Sequence, residues 1–259
     1  MSARPNTLSP LSRGRSNVLQ APLVFLITGI CGTAALLVSV VDKGGRAQHR
    51  IARLWARIAL RVSMSKLTVE GAENFSKHSV AVYASNHTSY MDTPVIFAAL
   101  PFQFRILAKK ELWRMPFIGW YLQRSGQMPI DTVNPHTTLS SLGEGVKALR
   151  SGMPLFVFPE GERTPTGRLL PFLSGAAFLA IRAQVPLVPI ALSGVYDLLP
   201  IHTRHFYPSK LTLRAGAPID TKGMTVRQTG ELTDRLRAAI QEMLGHTARA
   251  EAKTPTPVE

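Results

Sequence analysis

The chain has 259 residues, 45% hydrophobic but only 18% charged, and Lys plus Arg outnumber Asp plus Glu by 30 to 16, a formal net charge of +14. The length suits one large domain or a domain with an anchor, the charge deficit fits a surface partly against lipid, and the basic surplus implies an anionic partner. The single cysteine, Cys31, excludes an internal disulfide and any zinc site built on several cysteines.

Residues 1–17 are polar with scattered proline and read as a tail. Ala21 to Val41 carries no formal charge, and as a helix rising about 1.5 Å per residue it would cross a hydrocarbon core of roughly 30 Å. Pro22 falls in the first turn, where helices accept proline. A buried core helix is the competing reading, since Thr28, Gly29, Gly32, Thr33 and Ser39 dilute the apolar run. A cleaved signal peptide fits less well, because Asp42-Lys43-Gly44-Gly45-Arg46 follows without a small-residue cleavage pattern.

Arg46, Arg50, Arg53, Arg57 and Arg61 come next at helical spacing, beside an apolar face of Ile51, Leu54, Trp55, Ile58 and Val62. A basic stripe next to a Trp-bearing face suits anionic headgroups; a solvated arginine face packed on a domain competes. Residues 18–66 are therefore expected as a membrane-associated helical segment, an apolar helix over 21–41 and a basic amphipathic helix over 46–64. If the run spans, the excess of basic residues after it places the main domain on the cytoplasmic side.

From residue 67 to 246 the pattern is that of an α/β domain. Apolar runs predict strands at Ser79–Ser85, Phe104–Ala108, Gln127–Ile130, Leu155–Phe158, Leu187–Leu192 and Leu211–Ala215. Helical periods lie between them: Leu139, Leu142, Val146 and Leu149; Phe172, Ala176, Leu179 and Ala183; then Leu232, Leu236, Ile240 and Met243 or Leu244. Such alternation implies a mixed, largely parallel sheet flanked by helices on both faces. Residues 247–259 read as a second tail.

Two stretches carry chemistry. In Ser85-Asn86-His87-Thr88-Ser89-Tyr90-Met91-Asp92 a buried strand ends, the chain turns, and a helix starts near Asp92. Active sites favour the carboxyl ends of strands in open α/β sheets. A carboxylate returned to one imidazole nitrogen would fix the tautomer and leave the other nitrogen to accept an alcohol proton. With 7 histidines in the chain the spacing is weak by itself, and Asp92 as a plain helix cap competes. In Phe158-Pro159-Glu160-Gly161-Glu162-Arg163 a second strand runs into a polar turn. Gly161 permits close backbone approach, Arg163 offers a fork for phosphate, and Glu160 could bind a hydroxyl or orient Arg163. A strand-end turn with a surface ion pair competes.

Together these stretches resemble the glycerolipid acyltransferase family, in particular 1-acylglycerol-3-phosphate acyltransferases. Asn86 to Asp92 matches the family's Asn-His-x4-Asp motif, Phe158 to Arg163 its Phe-Pro-Glu-Gly-x-Arg motif, and Val185-Pro186-Leu187-Val188-Pro189-Ile190 is similar to its later apolar-proline motif. The likeness covers roughly Leu67 to Ala217, and the amino-terminal segment is similar to the helical anchor of bacterial members. It implies a glycerol-3-phosphate acyltransferase-like α/β fold and transfer of a fatty-acyl group from acyl-CoA or acyl-carrier protein to the sn-2 hydroxyl of 1-acylglycerol-3-phosphate, giving phosphatidic acid. His87 would be the general base and Asp92 its partner. Glu160, Gly161 and Arg163 would hold the acceptor, Lys110 would be an anion contact, and Pro186 would shape the acyl-chain side. No metal, cofactor or nucleic acid is implied; anionic lipids are, at the cytoplasmic face of the inner membrane.

One departure concerns the acceptor. Ser125-Gly126-Gln127-Met128-Pro129-Ile130-Asp131-Thr132 stands where the family has Gly-x-x-Phe-Ile-x-Arg, so Thr132 replaces a phosphate-binding arginine. That keeps open another lyso-lipid acceptor, such as a lyso-ornithine lipid. A non-catalytic basic membrane-binding protein is the alternative from a different class. A serine hydrolase would need a Gly-x-Ser-x-Gly elbow, which the chain lacks.

Overall fold

The architecture is built around strands that are apolar on both sides. A computed structural model describes residues 10–76, 80–131, 134–203 and 205–253. Among them the strands are β1 (Lys66–Glu70), β2 (Val82–Ser85), β3 (Arg105–Lys109), β4 (Met128–Ile130), β5 (Leu155–Val157), β6 (Leu187–Ser193) and β7 (Lys210–Ala215). They form one sheet in the order β1-β7-β6-β2-β5-β3-β4, parallel throughout except where β7 runs against β6. All residues of the central β2 and β5 are buried. Alternate side chains feed two cores: Tyr83 and Phe156 point to one, Val82, Ala84, Leu155 and Val157 to the other. The fold is thus the mixed, largely parallel sheet flanked by helices that alternation implies.

Six strands lie within a few residues of their predicted positions, though Ser79, the predicted start of β2, lies outside the described residues. The seventh, β1, carries no continuous apolar run. As an edge strand it alternates Leu67 and Val69 with Lys66, Thr68 and Glu70 and pairs only with β7.

The helices are α1 (Pro10–Gly14), α2 (Ala21–Val38), α3 (Arg46–Val62), α4 (Glu73–Ser76), α5 (Asp92–Ala99), α6 (Ile118–Arg124), α7 (Pro135–Arg150), α8 (Gly175–Ala183), α9 (Val195–Leu198) and α10 (Thr229–Lys253). Arg15–Gln20 is a π-helical turn that joins α1 to α2. Pro10 to Asn17, expected as a tail, is therefore helical. Tertiary bonds order it: Ser16 Oγ accepts from Phe206 N at 2.8 Å, and Gln20 Nε2 donates to Val62 O at 2.9 Å. At the other end α10 continues to Lys253, into the expected tail, through alanine-rich sequence of high helix propensity.

Leu11–Val38 is the one helical run among the described residues long and apolar enough to cross a membrane, and only 6% of its most apolar stretch is buried. That disposes of the core-helix reading. Phe25, 77% exposed, Leu26, Ile30 and Leu37 face outward. Yet the helix does not project from the domain. Trp55 Nε1 donates to Thr28 Oγ1 at 2.9 Å midway along it, and Arg124 Nη1 donates to Ser39 Oγ at 3.2 Å beyond its end. The expected continuation to Val41 is a turn. Asp42 then caps α3, its Oδ2 accepting from Ala47 N at 2.6 Å.

α3 packs through its small side chains, and the apolar face expected toward headgroups is only partly covered. Gln48, His49, Ala52, Ala56, Ala59 and Leu60 are buried, whereas Leu54 is 55% exposed. Small side chains let α3 approach α5 closely. Arg46, Arg50, Arg57 and Arg61 remain on the outside, while Arg53 is half-buried and donates to Pro101 O at 3.2 Å.

Candidate active site

Parallel register brings the two motifs together. Ala84 pairs with Val157 across β2 and β5, so His87 and Glu160, each three residues further on, emerge side by side. The strand exits are tied down locally. Asn86 donates through Nδ2 to Leu192 O at 3.0 Å and accepts Leu192 N at 2.8 Å, fastening the end of β2 to β6. Thr164 N donates to His87 O at 3.0 Å.

Asp92 opens α5 and is fully buried. Its Oδ2 accepts from His87 Nδ1 at 2.8 Å, Thr88 N at 2.6 Å and Ser89 N at 2.8 Å, and its Oδ1 accepts from Thr88 Oγ1 at 3.2 Å. A carboxylate held by this many donors stays put. It thereby fixes the proton on Nδ1 of His87. Phe158 stacks on the imidazole at 3.9 Å between ring centroids, with a 17° tilt. Nε2 then has no hydrogen-bond partner among the described residues, and it is the nitrogen able to take a proton. Asp92 does not cap α5, because the amides it accepts from, Thr88 N and Ser89 N, precede the helix; its carboxylate goes to the His87 loop instead.

Glu160 sits beside His87 and is held by backbone. Its Oε1 accepts His87 N at 2.6 Å and its Oε2 accepts Leu170 N at 2.8 Å, so each oxygen has a backbone partner. Burial raises its carboxyl to about 7, against the lowering effect of the Leu170 and His87 amides. These two bonds tie the His87 loop to the loop of the second motif. Gly161 has φ +72°, and an added Cβ would meet Leu173 Cδ1 at 2.9 Å, so the turn after Glu160 needs glycine.

Arg163 lies with its guanidinium 3.8 Å from the centre of the Tyr90 ring, within the first motif. No ion pair neutralises it among the described residues. A stacked, uncompensated guanidinium next to a histidine base is arranged for an anion.

Two expected site residues fall elsewhere. Lys110 is bonded to the buried Asp131 carboxylate, which also accepts from Thr137 Oγ1 at 2.8 Å. Lys109 pairs with Ile130 across β3 and β4, and this register puts the next residue of each strand together. Pro186 precedes β6, whose Leu187 pairs with Val82 and whose Ile190 pairs with Ser85. It therefore sits beyond the amino end of strands whose carboxyl ends carry His87, about 13 Å of strand away. Thr132 lies outside the described residues. Sequence reasoning assigned no role to Phe158, Tyr90, Thr164 or the Thr88 and Ser89 amides. All fall inside or beside the two motifs, and proximity to His87 and Arg163 was the available signal.

The family model described as Acyltransferase matches residues 66–193. A 1-acyl-sn-glycerol-3-phosphate acyltransferase of Arabidopsis thaliana chloroplasts is 35% identical over 59% of this chain and 42% of its own length. The Limnanthes alba protein of the same name is 30% identical over 71% of this chain and 68% of its own. The chain thus spans less than half of the chloroplast relative. The crystal structure of the 1-acyl-sn-glycerophosphate acyltransferase PlsC of Thermotoga maritima superposes with a TM-score of 0.78 at 25% identity, covering 94% of this chain and all of that one.

Proposed function

The chain belongs to the acyltransferase family, and on that premise we propose that it moves a fatty-acyl group from acyl-CoA or acyl-carrier protein to the sn-2 hydroxyl of 1-acylglycerol-3-phosphate, giving phosphatidic acid. The observation that carries this reading is the His87–Asp92 pair with Nε2 open, beside the unpaired guanidinium of Arg163.

In this reaction His87 Nε2 takes the proton of the acceptor hydroxyl as its oxygen bonds to the thioester carbonyl carbon. The tetrahedral intermediate then expels the thiolate, which takes that proton back from the imidazolium. Asp92 orients the ring and stabilises the imidazolium. Arg163 binds the acceptor phosphate and sets the hydroxyl in line, and such alignment contributes as much as the base or more. Glu160 and Phe158 keep the ring in place.

The reaction takes place at a membrane surface. Contacts along the whole of α2 favour a helix lying in one leaflet with the domain alongside, over an upright span, and the outer arginines of α3 fit anionic headgroups. Soluble thioester donors put the domain on the cytoplasmic side.

The test is thiol release by detergent-solubilised protein. Release that requires lysophosphatidate supports the reading; release without an acceptor would mark a hydrolase, and none with any pair of substrates a binding protein. A second reading, another lyso-lipid acceptor, is favoured by one contact. The Lys110 ammonium, a candidate to replace the charge absent at Thr132, is committed to Asp131. An acceptor panel on wild type and Thr132→Arg separates the two.

A further inference from the structure

Between β3 and α6 the chain makes an apolar tip that the domain leaves uncovered. Met115 and Ile118 are exposed there, as are Phe117 (69%) and Trp120 (55%). Phe117 stands at the apex with φ +62° and ψ −52°, and Ile118 N donates to Pro116 O across it at 2.7 Å. That is a three-residue turn of the rare, strained kind. The Phe117 ring lies 5.1 Å from that of Trp120, at 62° to it. A backbone held in strain to keep an aromatic pair in the open points to something that the pair contacts.

Trp120 also lines a pocket of about 420 Å³ between α6 and the end of α2, a size ordinary for a small-molecule site. Leu37 and Val40 line it from α2, Gln123 and Arg124 from α6. Leu37 and Val40 belong to the outward apolar surface of α2, so tip and helix form one apolar face around the pocket. Its charge has one sign. Arg124 donates to Ser39 Oγ and has no carboxylate partner among the described residues. The carboxylate of Asp42, just past Ser39, is turned to the Ala47 and Gln48 amides instead.

We propose that this pocket holds an anionic phospholipid of the bilayer that is neither acceptor nor donor, its phosphate on Arg124 and its chains along Leu37, Val40 and Trp120. A guanidinium fork matches phosphate, and the apolar rim favours a phosphate that carries chains over a free ion. Lys43 and Arg46, exposed beyond α2, repel a headgroup cation and so select a net negative lipid. The site is remote from the catalytic loop. Tyr90, on which Arg163 stacks, lies with Val24 and Phe25, about 20 Å of helix before Leu37. The bound lipid fixes the far end of α2 and thereby the depth at which the helix lies. This rests on the membrane placement proposed above and is independent of the acylation chemistry.

The test uses the full chain with vesicles of phosphatidylcholine, with or without phosphatidylglycerol. A phosphatidylglycerol with a diazirine near the head of one chain should cross-link to the peptide containing Trp120. Arg124→Gln should cut that yield at least about fivefold, while Arg50→Gln, an equal loss of charge on the outside of α3, should leave it within about twofold. A surface charge contributes about fivefold to partition onto anionic vesicles, so Arg50→Gln should lose that much and Arg124→Gln about twentyfold or more. Equal losses would make Arg124 one more diffuse charge and overturn the site. Phe117→Gly relieves the strained turn as it removes the tip, and should weaken partition onto both kinds of vesicle about tenfold. Unchanged partition would take the tip out of the bilayer and overturn the proposal.

Two outcomes separate this site from the readings above. Wild type that binds vesicles without the Trp120 cross-link would overturn the lipid site alone, and wild type that binds neither vesicle would overturn the membrane placement with it. In detergent micelles Arg124→Gln should keep KM for lysophosphatidate within about twofold; a rise of about tenfold would give the pocket to the acceptor and overturn the proposal.

Discussion

Glu160 accepts the backbone amide of His87 at 2.6 Å and, through its other oxygen, that of Leu170 at 2.8 Å. One buried carboxylate thus joins the loop that carries the base to the loop that carries Arg163. The two bonds hold the backbone next to the imidazole in place.

Glu160→Gln keeps one acceptor oxygen and turns an amide toward the other backbone N–H. The variant should lose about 10- to 100-fold in kcat with little change in acceptor KM. A rise in acceptor KM at unchanged kcat would instead assign Glu160 to binding.

The same residue sets a pH dependence of stability. Burial raises its carboxyl to about 7 in the folded protein, against 4.5 as the ordinary value. Between these values the unfolded chain has lost the proton and the folded one keeps it, so stability falls as pH rises through that window. The contribution is at most about 3 kcal/mol. Urea unfolding at pH 5 and 7.5 should show this loss in wild type and a flatter profile in Glu160→Gln; equal slopes would remove Glu160 as the cause.

His87→Ala and Asp92→Asn should part company. Both should cut kcat by about 10²–10⁴-fold. Only Asp92→Asn should also destabilise, by about 1–3 kcal/mol, because an amide nitrogen would face N–H donors that Asp92 now satisfies. Thermal denaturation next to activity reads the difference, and equal melting temperatures would contradict the account of Asp92.

Arg163→Lys retains the charge but loses the planar stack on Tyr90 and the two-pronged grip on phosphate. Acceptor KM should rise about tenfold or more with kcat within a few-fold. A kcat effect without a KM effect would place Arg163 on the reacting atoms instead.

The two sides of α3 should respond differently. Ala56→Leu overpacks a fully buried contact and should cost about 1–3 kcal/mol. Arg50→Gln with Arg57→Gln should leave stability nearly unchanged and weaken partition onto anionic vesicles by about 1 kcal/mol per charge. Partition that is insensitive to both changes would move the lipid contact away from this helix.

Much of the fold was local information. Apolar runs buried on both faces mark β2, β5 and β6 whatever their neighbours, and a helical period marks Leu232, Leu236 and Ile240. The His87–Asp92 pair was legible for the same reason, since a turn and the first residue of a helix span only five positions. Edge strand β1 was not, because half of it faces solvent.

The sequence alone determined the two motifs proposed for the chemistry and the alternation that makes a parallel sheet. The tertiary structure decided which of them meet. Strand register placed Glu160 on the His87 amide, gave Lys110 to Asp131, and set Pro186 at the far end of the sheet. Helix packing chose the alanine face of α3 over its larger apolar face. These outcomes depend on contacts between residues tens of positions apart, and neither composition nor periodicity encodes a distance across the sheet.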